Sequence, residues 1–578
     1  MDKCPDAPSS LASASQVHEL ERPRYCRPAN GAVNSFVKFN WISSTPQSAG
    51  TFPVPRFHSP LSTDETQLVA SAGAFSYALT SVNPLSLTTG PQLTVFTPPA
   101  SLDTALPVDS TVYATPLPSR SQMISPQPTM PVEFPKPMPS SLGLYVKMSA
   151  IDKKLWDFYM YNWSPGRSIL EPNIWKDFAQ MHSNSGIIAA ILSLAGLYVY
   201  DYNPQISIKS RVEALLAEAK GCLDALIMDP VRVETDSNAS DELMTLFVVL
   251  SMQDIVRPES RRKTPDPPRW LEGFNNCERI IQRTDQGARF WNKHKTEPTS
   301  LRKSLLVTVG NTLILSQILE PLPRPHEFDF KKEEPRFGWL LYGTREQTYE
   351  IHPGCGFSRK LLHVIRQITF WSARLQQERE SPMAQAMTKA LYGELNKMKQ
   401  WAPDVQEWEL ANAIPMPVDH LKNRPGSQVN TWKGVALFTA EAWRIAAMIY
   451  LQCRLMRLPP KHADVMSNLQ DLCLCIRAMP TQGNYFTAQA PLFPVFLLWL
   501  LASTEDHRSA ADDWFQAVVN APMRSSVRPL FEGLKRIREH WTPPTCDHLP
   551  PAIRNRQAWW ESLVKKILEQ QDERFCLT

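Results

Sequence analysis

Apolar residues recur at helical spacing along most of the chain after residue 144. In the segment 357–380, one stripe is formed by Leu361, Val364, Ile365, Ile368, Trp371 and Leu375. Side chains three and four positions apart share a face of an α-helix, so this spacing predicts an amphipathic helix. The same reasoning predicts a first helix near 144–163 and further helices at 173–182, 184–200, 206–228, 239–255, 269–284, 300–319, 384–400, 432–453, 463–478, 491–503, 508–519, 524–541 and 552–571.

Between two of these helices, the sequence VRVETDSNASD is predicted to form a loop, with Ser240 or Asp241 as the cap of the next helix. Two other segments, Ser183–Tyr200 and Pro491–Ala502, are very apolar. The second is shorter than the about 20 residues that a membrane-spanning helix needs, and the first contains Ser, Asn and Gly. We therefore predict that both are buried core helices and expect no membrane partner.

Residues 1–143 have a different pattern, rich in Ser, Thr and Pro, with few charges and no sustained periodicity. Such a segment cannot bury enough apolar surface to offset the entropy lost on ordering. The sequence therefore predicts an all-α protein with two parts. A disordered Pro/Ser/Thr-rich N-terminal arm (1–143) precedes a large multi-helix domain (144–578).

The overall charge indicates no particular partner, because 61 Lys and Arg residues nearly balance 57 Asp and Glu residues. A local exception is the segment 257–269, RPESRRKTPDPPR, in which five of thirteen residues are basic. It is either an arm that contacts phosphates or directs nuclear import, or a solvated surface loop. The second interpretation is favoured, because connecting segments normally run over the surface.

Motifs for catalysis are missing from the sequence. His326-Glu327 lacks the second histidine of a zinc protease, and Gly354-Cys355-Gly356 is too short to hold a pyrophosphate. Asp512-Asp513 lacks the further carboxylates of a magnesium site and is expected at a helix start, while Glu505-Asp506-His507 is expected to be a solvated turn. Cys473-x-Cys475 has no second cysteine pair nearby. We therefore predict no enzymatic activity, no catalytic or cofactor-binding residue, no metal site and no cofactor.

Ten cysteines are scattered along the chain, and the first ten residues do not resemble a secretory signal. We expect reduced thiols in a cytosolic or nuclear compartment, most of them buried as small apolar side chains.

Four segments resemble the regulatory domain of fungal zinc-cluster transcription factors, in particular the subfamily typified by regulators of arginine metabolism and sexual development. They are LWDFYMYNWSPGRS at 155–168, EIHPGCGFSRKLLHVIRQI at 350–368, AEAWRIA at 440–446 with the residues up to Pro459, and PLFPVFLLW at 491–499 with Arg508. The resemblance covers 145–541 and consists of packing motifs rather than catalytic ones. It implies a nuclear protein that regulates transcription.

One feature of that family is missing here. A binuclear zinc cluster needs six cysteines in about 30 residues, whereas the arm contains only Cys4 and Cys26. Two thiolates cannot complete one tetrahedral site, and no basic helix accompanies them. The expectation is therefore a co-regulator without direct sequence-specific DNA contact through a zinc cluster. It would pair with a DNA-binding transcription factor or form a dimer.

Three interpretations remain open at this point. The resemblance suggests a pathway-specific regulator of a fungal secondary-metabolite gene cluster. Alternatively, the sequence lacks an N-terminal exon that encodes the zinc cluster. In the third interpretation, the helical domain senses a small-molecule effector, and the pocket would be lined by His352, Cys355 and His363.

Overall fold

The structure is a computed structural model that describes residues 145–577, apart from 146, 182–183, 258–266, 286–298, 425, 482–484, 488–490, 521–524, 546–548 and 571–573. It also describes the backbone of two short antiparallel strands, β1 (Ala32–Val33) and β2 (Val37–Lys38). The rest of the predicted disordered arm lies outside the described residues, and so do Cys4, Cys26 and most of the basic segment 257–269.

The N-terminal half of the described chain is built from eight helices. They are α1 (Ala150–Phe158), α2 (Ile174–Gln180), α3 (Ser185–Tyr202), α4 (Ile206–Ile227), α5 (Pro230–Thr235), α6 (Ser237–Val256), α7 (Arg269–Asp285) and α8 (Ser300–Ser316). A π-helical turn, Tyr159–Trp163, extends α1, and a 3-10 turn, Gln317–Leu319, extends α8.

The C-terminal half begins with two short helices, α9 (Phe330–Glu333) and α10 (Arg345–Tyr349), and a hairpin of β3 (Ile351–His352) and β4 (Phe357–Ser358). The remaining helices are α11 (Arg359–Gln377), α12 (Pro382–Lys397), α13 (Trp408–Ala413), α14 (Pro417–Asn423), α15 (Trp432–Tyr450), α16 (Ala463–Ala478), α17 (Leu492–Leu501), α18 (Glu505–Val519), α19 (Val527–His540) and α20 (Trp559–Gln570). The predicted all-α class is confirmed, since the strands of the described residues are only two residues long.

Four local predictions were wrong. The segment expected to be a loop contains α5, because Pro230 at its first position is preorganised for a helix and Asp229 caps it by accepting a hydrogen bond from the Arg232 amide. The next helix is capped by Asp236 rather than by Ser240 or Asp241. Likewise α18 begins at Glu505, which places Asp512 in the middle of the helix and makes the expected solvated turn its first turn.

The core is a large apolar cluster to which α1, α20 and most helices between them contribute. Ser185–Tyr202 and Trp432–Leu455 are long and apolar enough to cross a membrane by length and composition, yet 94% and 83% of their most apolar windows are buried in the protein. Helix α17 is buried along its entire length. These helices are apolar on all sides because they are surrounded by other helices.

Helices α3 and α4 approach closely at two glycines. A Cβ atom on Gly196 would lie 2.2 Å from Val212 Cγ2, and one on Gly186 would lie 2.4 Å from Cys222 Cβ. Both distances are far below van der Waals contact, so this helix pair needs glycine at both positions. Gly221, on the exposed side of α4, meets no atom within 4 Å.

A buried ion pair joins the C-terminal helix to the rest of the domain. The Arg454 side chain is fully buried and contacts Glu561 at 2.8 Å. Its other donors reach the carbonyl oxygens of Gln317, Ile318 and Glu320 at 2.9, 3.2 and 2.9 Å, and the hydroxyl of Tyr450 at 2.7 Å. Burial by itself would lower the pKa of Arg454. The Glu561 carboxylate and the Tyr450 hydroxyl outweigh this effect and hold the pKa above its ordinary value.

The packing of α3 against α4 is tested by Gly196→Ala. The added methyl group must displace the stiff, β-branched Val212, so we expect the free energy of unfolding to fall by about 1–3 kcal/mol despite the better helix propensity of Ala. Urea denaturation measures the change. Gly221→Ala is the matched control and should instead stabilise by about 0.5–1 kcal/mol. A stabilised Gly196→Ala protein would contradict the tight contact.

The ion pair is tested by Glu561→Ala, which leaves the Arg454 charge buried without its carboxylate. We expect a loss of about 3–5 kcal/mol in urea denaturation, whereas Glu561→Gln should lose less because the amide still accepts a hydrogen bond. Glu569 lies on the same helix, is 58% exposed and is 3.7 Å from Lys565. Its replacement by Ala should change stability by less than about 0.5 kcal/mol. Equal losses of stability in the two alanine variants would contradict a particular role of the Arg454–Glu561 pair in stability.

Candidate functional site

The predicted effector residues His352 and Cys355 both lie in the hairpin that leads into α11. Its turn is closed by Gly356, whose amide donates to the His352 carbonyl at 2.9 Å and whose φ of +77° suits glycine. The hairpin is fixed to the neighbouring chain by the Ile351 amide, which donates to the Trp401 carbonyl at 2.7 Å. Ser358 then caps α11 by accepting from the Leu361 amide at 3.3 Å.

These three candidates are buried or partly buried side chains. Both ring nitrogens of His352 are buried without a hydrogen-bond partner, and the Cys355 thiol is free and buried. His363 lies one turn inside α11, where its Nε2 is 3.4 Å from Gln367 Nε2 on the same helix. One cleft lies between α4, α6 and α7, and another lies between α10, α12 and α13. None of the three candidate residues lines either cleft.

Burial shifts the ionisation of all three groups toward the neutral form. It lowers the pKa of His352 to about 4, with help from the positive charge of Arg359. It lowers the pKa of His363 to about 3, with smaller effects from Lys360 and Arg366. Burial also raises the pKa of the Cys355 thiol to about 12. Imidazoles with so low a pKa are weak bases at neutral pH, and a protonated thiol is a poor nucleophile, so this arrangement suits packing better than chemistry.

The remaining sequence candidates are dispersed through the fold. His326 and Glu327 lie 3.7 Å apart with side chains 73% and 51% exposed. Asp512 accepts a hydrogen bond from Trp499 Nε1 at 2.6 Å, and Cys473 lies beside Asp506. Among the described residues, no group of three or more His, Cys, Asp or Glu side chains is arranged to hold a metal ion.

A cleft of about 230 Å³ lies at the base of the basic segment, between α4, α6 and α7. We call it the root cleft, because Arg257 and Arg269, the two ends of that segment, both line it. Its apolar wall is formed by Leu216, Leu223, Phe247 and Leu250. Gly273 permits the close approach of α7 to α6, since a Cβ there would lie 2.2 Å from Ser251 Oγ.

Charges of both signs surround the root cleft. Lys220, Arg257 and Arg269 supply positive charge, and Asp254 and Glu272 supply negative charge. Both arginines and both carboxylates already take part in polar, ionic or ring interactions. This balance disfavours a free phosphate site in the root cleft. The sequence reasoning missed the cleft, although a glycine inside the predicted helix 269–284 is a signal for close packing.

The helical domain matches a known family model. The model is described as a fungal specific transcription factor domain, and it matches residues 164–540, from the turn that follows α1 to the end of α19. No curated protein and no solved structure matches the chain.

The burial of His352 predicts a pH-dependent contribution to stability. The pKa of His352 in the folded protein lies below the ordinary value of 6.5. The contribution of the neutral His352 to the stability of the folded protein is therefore fully present above about pH 6.5 and is lost as the pH falls toward 4. Between pH 7 and 5, the parent protein should lose about 2 kcal/mol more than His352→Phe, as measured by urea denaturation.

The exposed His326→Gln variant controls for the loss of a histidine elsewhere. We expect it to follow the parent protein across this pH range. If His352→Phe shows the same pH dependence as the parent, the histidine is not held neutral in the folded protein.

Proposed function

The chain belongs to the family of fungal-specific transcription factor domains, and on this premise we propose that it is a transcriptional co-regulator. In this proposal it acts in the nucleus and reaches DNA through another DNA-binding protein. The observation that carries the proposal is the family match over residues 164–540, which include most of the helical domain. The fold of those residues is that of a packed helical domain, as expected for a regulatory module.

The co-regulator role is supported by the cysteine count. The residues before 144 contain two cysteines, whereas a binuclear zinc cluster needs six thiolates. In the described part of the helical domain, seven further cysteines form no disulfide, and all but Cys222 are buried; they are Cys222, Cys277, Cys355, Cys453, Cys473, Cys475 and Cys576. Among the residues that the structure describes, none of these thiols belongs to a group of three or more His, Cys, Asp or Glu side chains that could hold a metal ion. The described part of the helical domain therefore supplies no second set of ligands for a cluster.

We further propose that the functional domain extends past the matched range to the C-terminal helix. Trp559 and Trp560 of α20 are 3% and 1% exposed. Their indole nitrogens donate to the carbonyls of Leu458 and Ile318, each at 3.1 Å. These contacts, together with the Arg454–Glu561 pair, support a regulatory domain that includes residues 144–578.

Finer features of the role follow from the resemblance of the packing segments. We propose that the protein is close to the regulators of arginine metabolism and sexual development, and that it controls a pathway-specific gene set such as a secondary-metabolite cluster. Its partner would be a zinc-cluster transcription factor or a second copy of this chain.

The main alternative is a complete zinc-cluster transcription factor whose first exon is missing from the sequence. The arm would then be the linker between the cluster and the helical domain. Mapping of transcript 5′ ends separates the two cases. An in-frame upstream half-cluster of the form C-x2-C supports the alternative, and an in-frame stop codon directly upstream of Met1 excludes it.

The proposal predicts that chromatin occupancy depends on a partner. Tagged full-length protein should precipitate a discrete set of promoters, and this occupancy should disappear when the responsible zinc-cluster factor is deleted. The matched control is deletion of an unrelated zinc-cluster factor, which should leave occupancy unchanged. Occupancy that persists after deletion of every candidate partner would contradict the co-regulator role, as would sequence-selective DNA binding by the purified chain.

A further inference from the structure

A second cleft, separate from the root cleft, lies where α10, the end of α12 and α13 meet. Its volume is about 290 Å³. We call it the tyrosine–tryptophan cleft, after the two aromatic residues in its wall, Tyr349 and Trp408. The volume is near the lower limit of the about 300–1,000 Å³ that is usual for small-molecule sites, so it suits a small ligand.

The aromatic wall is held in place by backbone contacts. The Tyr349 and Trp408 rings lie 5.7 Å apart at an angle of 51°, and Trp401 is 6.2 Å behind Trp408. Trp401 is buried, and its Nε1 donates to the Glu346 carbonyl at 2.9 Å. Its backbone pairs with Glu350 beside the hairpin. The two lining rings therefore form an apolar surface, backed by the buried Trp401, against which an aromatic group can pack.

Positive charge exceeds negative charge around this wall. Arg345, Lys397 and Lys399 line the cleft, and the Arg345 guanidinium lies 5.7 Å from the centre of the Tyr349 ring. The lining carboxylate, Glu394, is 2.8 Å from Lys360 and accepts a hydrogen bond from the Tyr349 hydroxyl at 3.3 Å. The three lining cations therefore outnumber the one lining carboxylate, which also has Lys360 as a partner.

Lys399 is the most enclosed of these cations. Its Nζ donates to the Ile414 carbonyl, which fixes the side chain against the segment that follows α13. Burial lowers the pKa of Lys399, while the carboxylates of Glu441 and Asp419 act in the opposite direction. A bound anion would favour the charged form of this partly desolvated ammonium group.

From this geometry we propose that the tyrosine–tryptophan cleft binds a small aromatic carboxylate. The ring of the ligand would stack on one of the Tyr349 and Trp408 rings and contact the edge of the other, and its carboxylate would face Arg345, Lys397 and Lys399. A neutral aromatic compound would lose the ionic contacts, and a non-aromatic acid would lose the stacking. The proposal does not depend on how the protein reaches DNA.

Gly393 offers a way to test this site without disturbing the fold. It lies in α12 and lines the cleft, and a Cβ built on it meets no atom within 4 Å. A large side chain at this position can therefore occupy the cleft itself. Gly221 of α4 is equally open and lies outside both clefts, so it accepts the same substitution as a matched control.

The probe is 2-naphthoate, compared with its neutral amide, 2-naphthamide, and with the non-aromatic acid cyclohexanecarboxylate. Binding to the full-length chain is measured by ligand-observed NMR titration. We expect a dissociation constant of about 1 mM or lower for 2-naphthoate, and binding at least about tenfold weaker for the other two compounds. No detectable binding of 2-naphthoate would overturn the proposal.

The variants locate the binding in the cleft. Gly393→Phe should abolish the binding of 2-naphthoate, whereas Gly393→Ala and Gly221→Phe should preserve it. Arg345→Gln combined with Lys397→Gln should weaken the binding of 2-naphthoate by about tenfold and leave the affinity for 2-naphthamide unchanged. Circular dichroism and the thermal midpoint verify that each variant is folded. Unchanged binding in folded Gly393→Phe, or equal affinity for the acid and the amide, would overturn the proposal.

Discussion

The fold depends on satisfying one guanidinium group in an apolar interior. Arg454 lies in the π-helical turn Leu451–Leu455 that extends α15, and its side chain is fully buried. A charge in such surroundings is tolerated only when it is paired and its donors are hydrogen-bonded. One partner, Tyr450, lies one turn earlier at the end of α15, and the others come from the residues after α8 and from helix α20. The need to pair this charge and to satisfy its donors therefore fixes the positions of three elements, which apolar packing alone could arrange in several ways.

The same solution recurs elsewhere in the domain. Arg302 contacts Asp241 at 2.6 Å between α8 and α6, and Arg336 contacts Glu278 of α7 at 2.7 Å. Within α15, Arg444 pairs with Glu441 at 2.8 Å and also donates to the Leu395 carbonyl at the end of α12. Buried pairs of this kind add little net stability, but a wrong helix arrangement would leave them unpaired. They therefore favour a single arrangement of helices whose apolar faces are broadly similar.

Charge pairing also distinguishes the two clefts. In the root cleft, the arginines at the two ends of the basic segment take part in interactions within the protein, beside two carboxylates that do the same. In the tyrosine–tryptophan cleft, the lining carboxylate is paired with Lys360 from outside the cleft, and three cations lie around an aromatic wall. The charges of the first cleft are therefore engaged within the protein, whereas the second cleft has the composition of the proposed ligand site. A regulatory domain with such a site could couple a metabolite to transcription.

The sequence by itself determined the longer helices and the family, but not the short helices α5, α9, α10, α13 and α14. The stripe from Leu361 to Leu375 and the long apolar face after Trp432 are buried as the periodicity predicted, because local spacing is a property of the helix alone. Local spacing did not locate a helix end where several residues could act as the cap, as before α6, where Asp236 is the cap. It also did not predict the hairpin that contains His352.

Tertiary structure alone decided the partners and the clefts. Arg454 and Glu561 are 107 residues apart, and Tyr349 and Trp408 are brought together from different helices. His352, Cys355 and His363 were predicted to line an effector pocket, yet burial favours their neutral forms. Such outcomes depend on contacts between distant segments and on the desolvation that follows from them, and no local pattern encodes either.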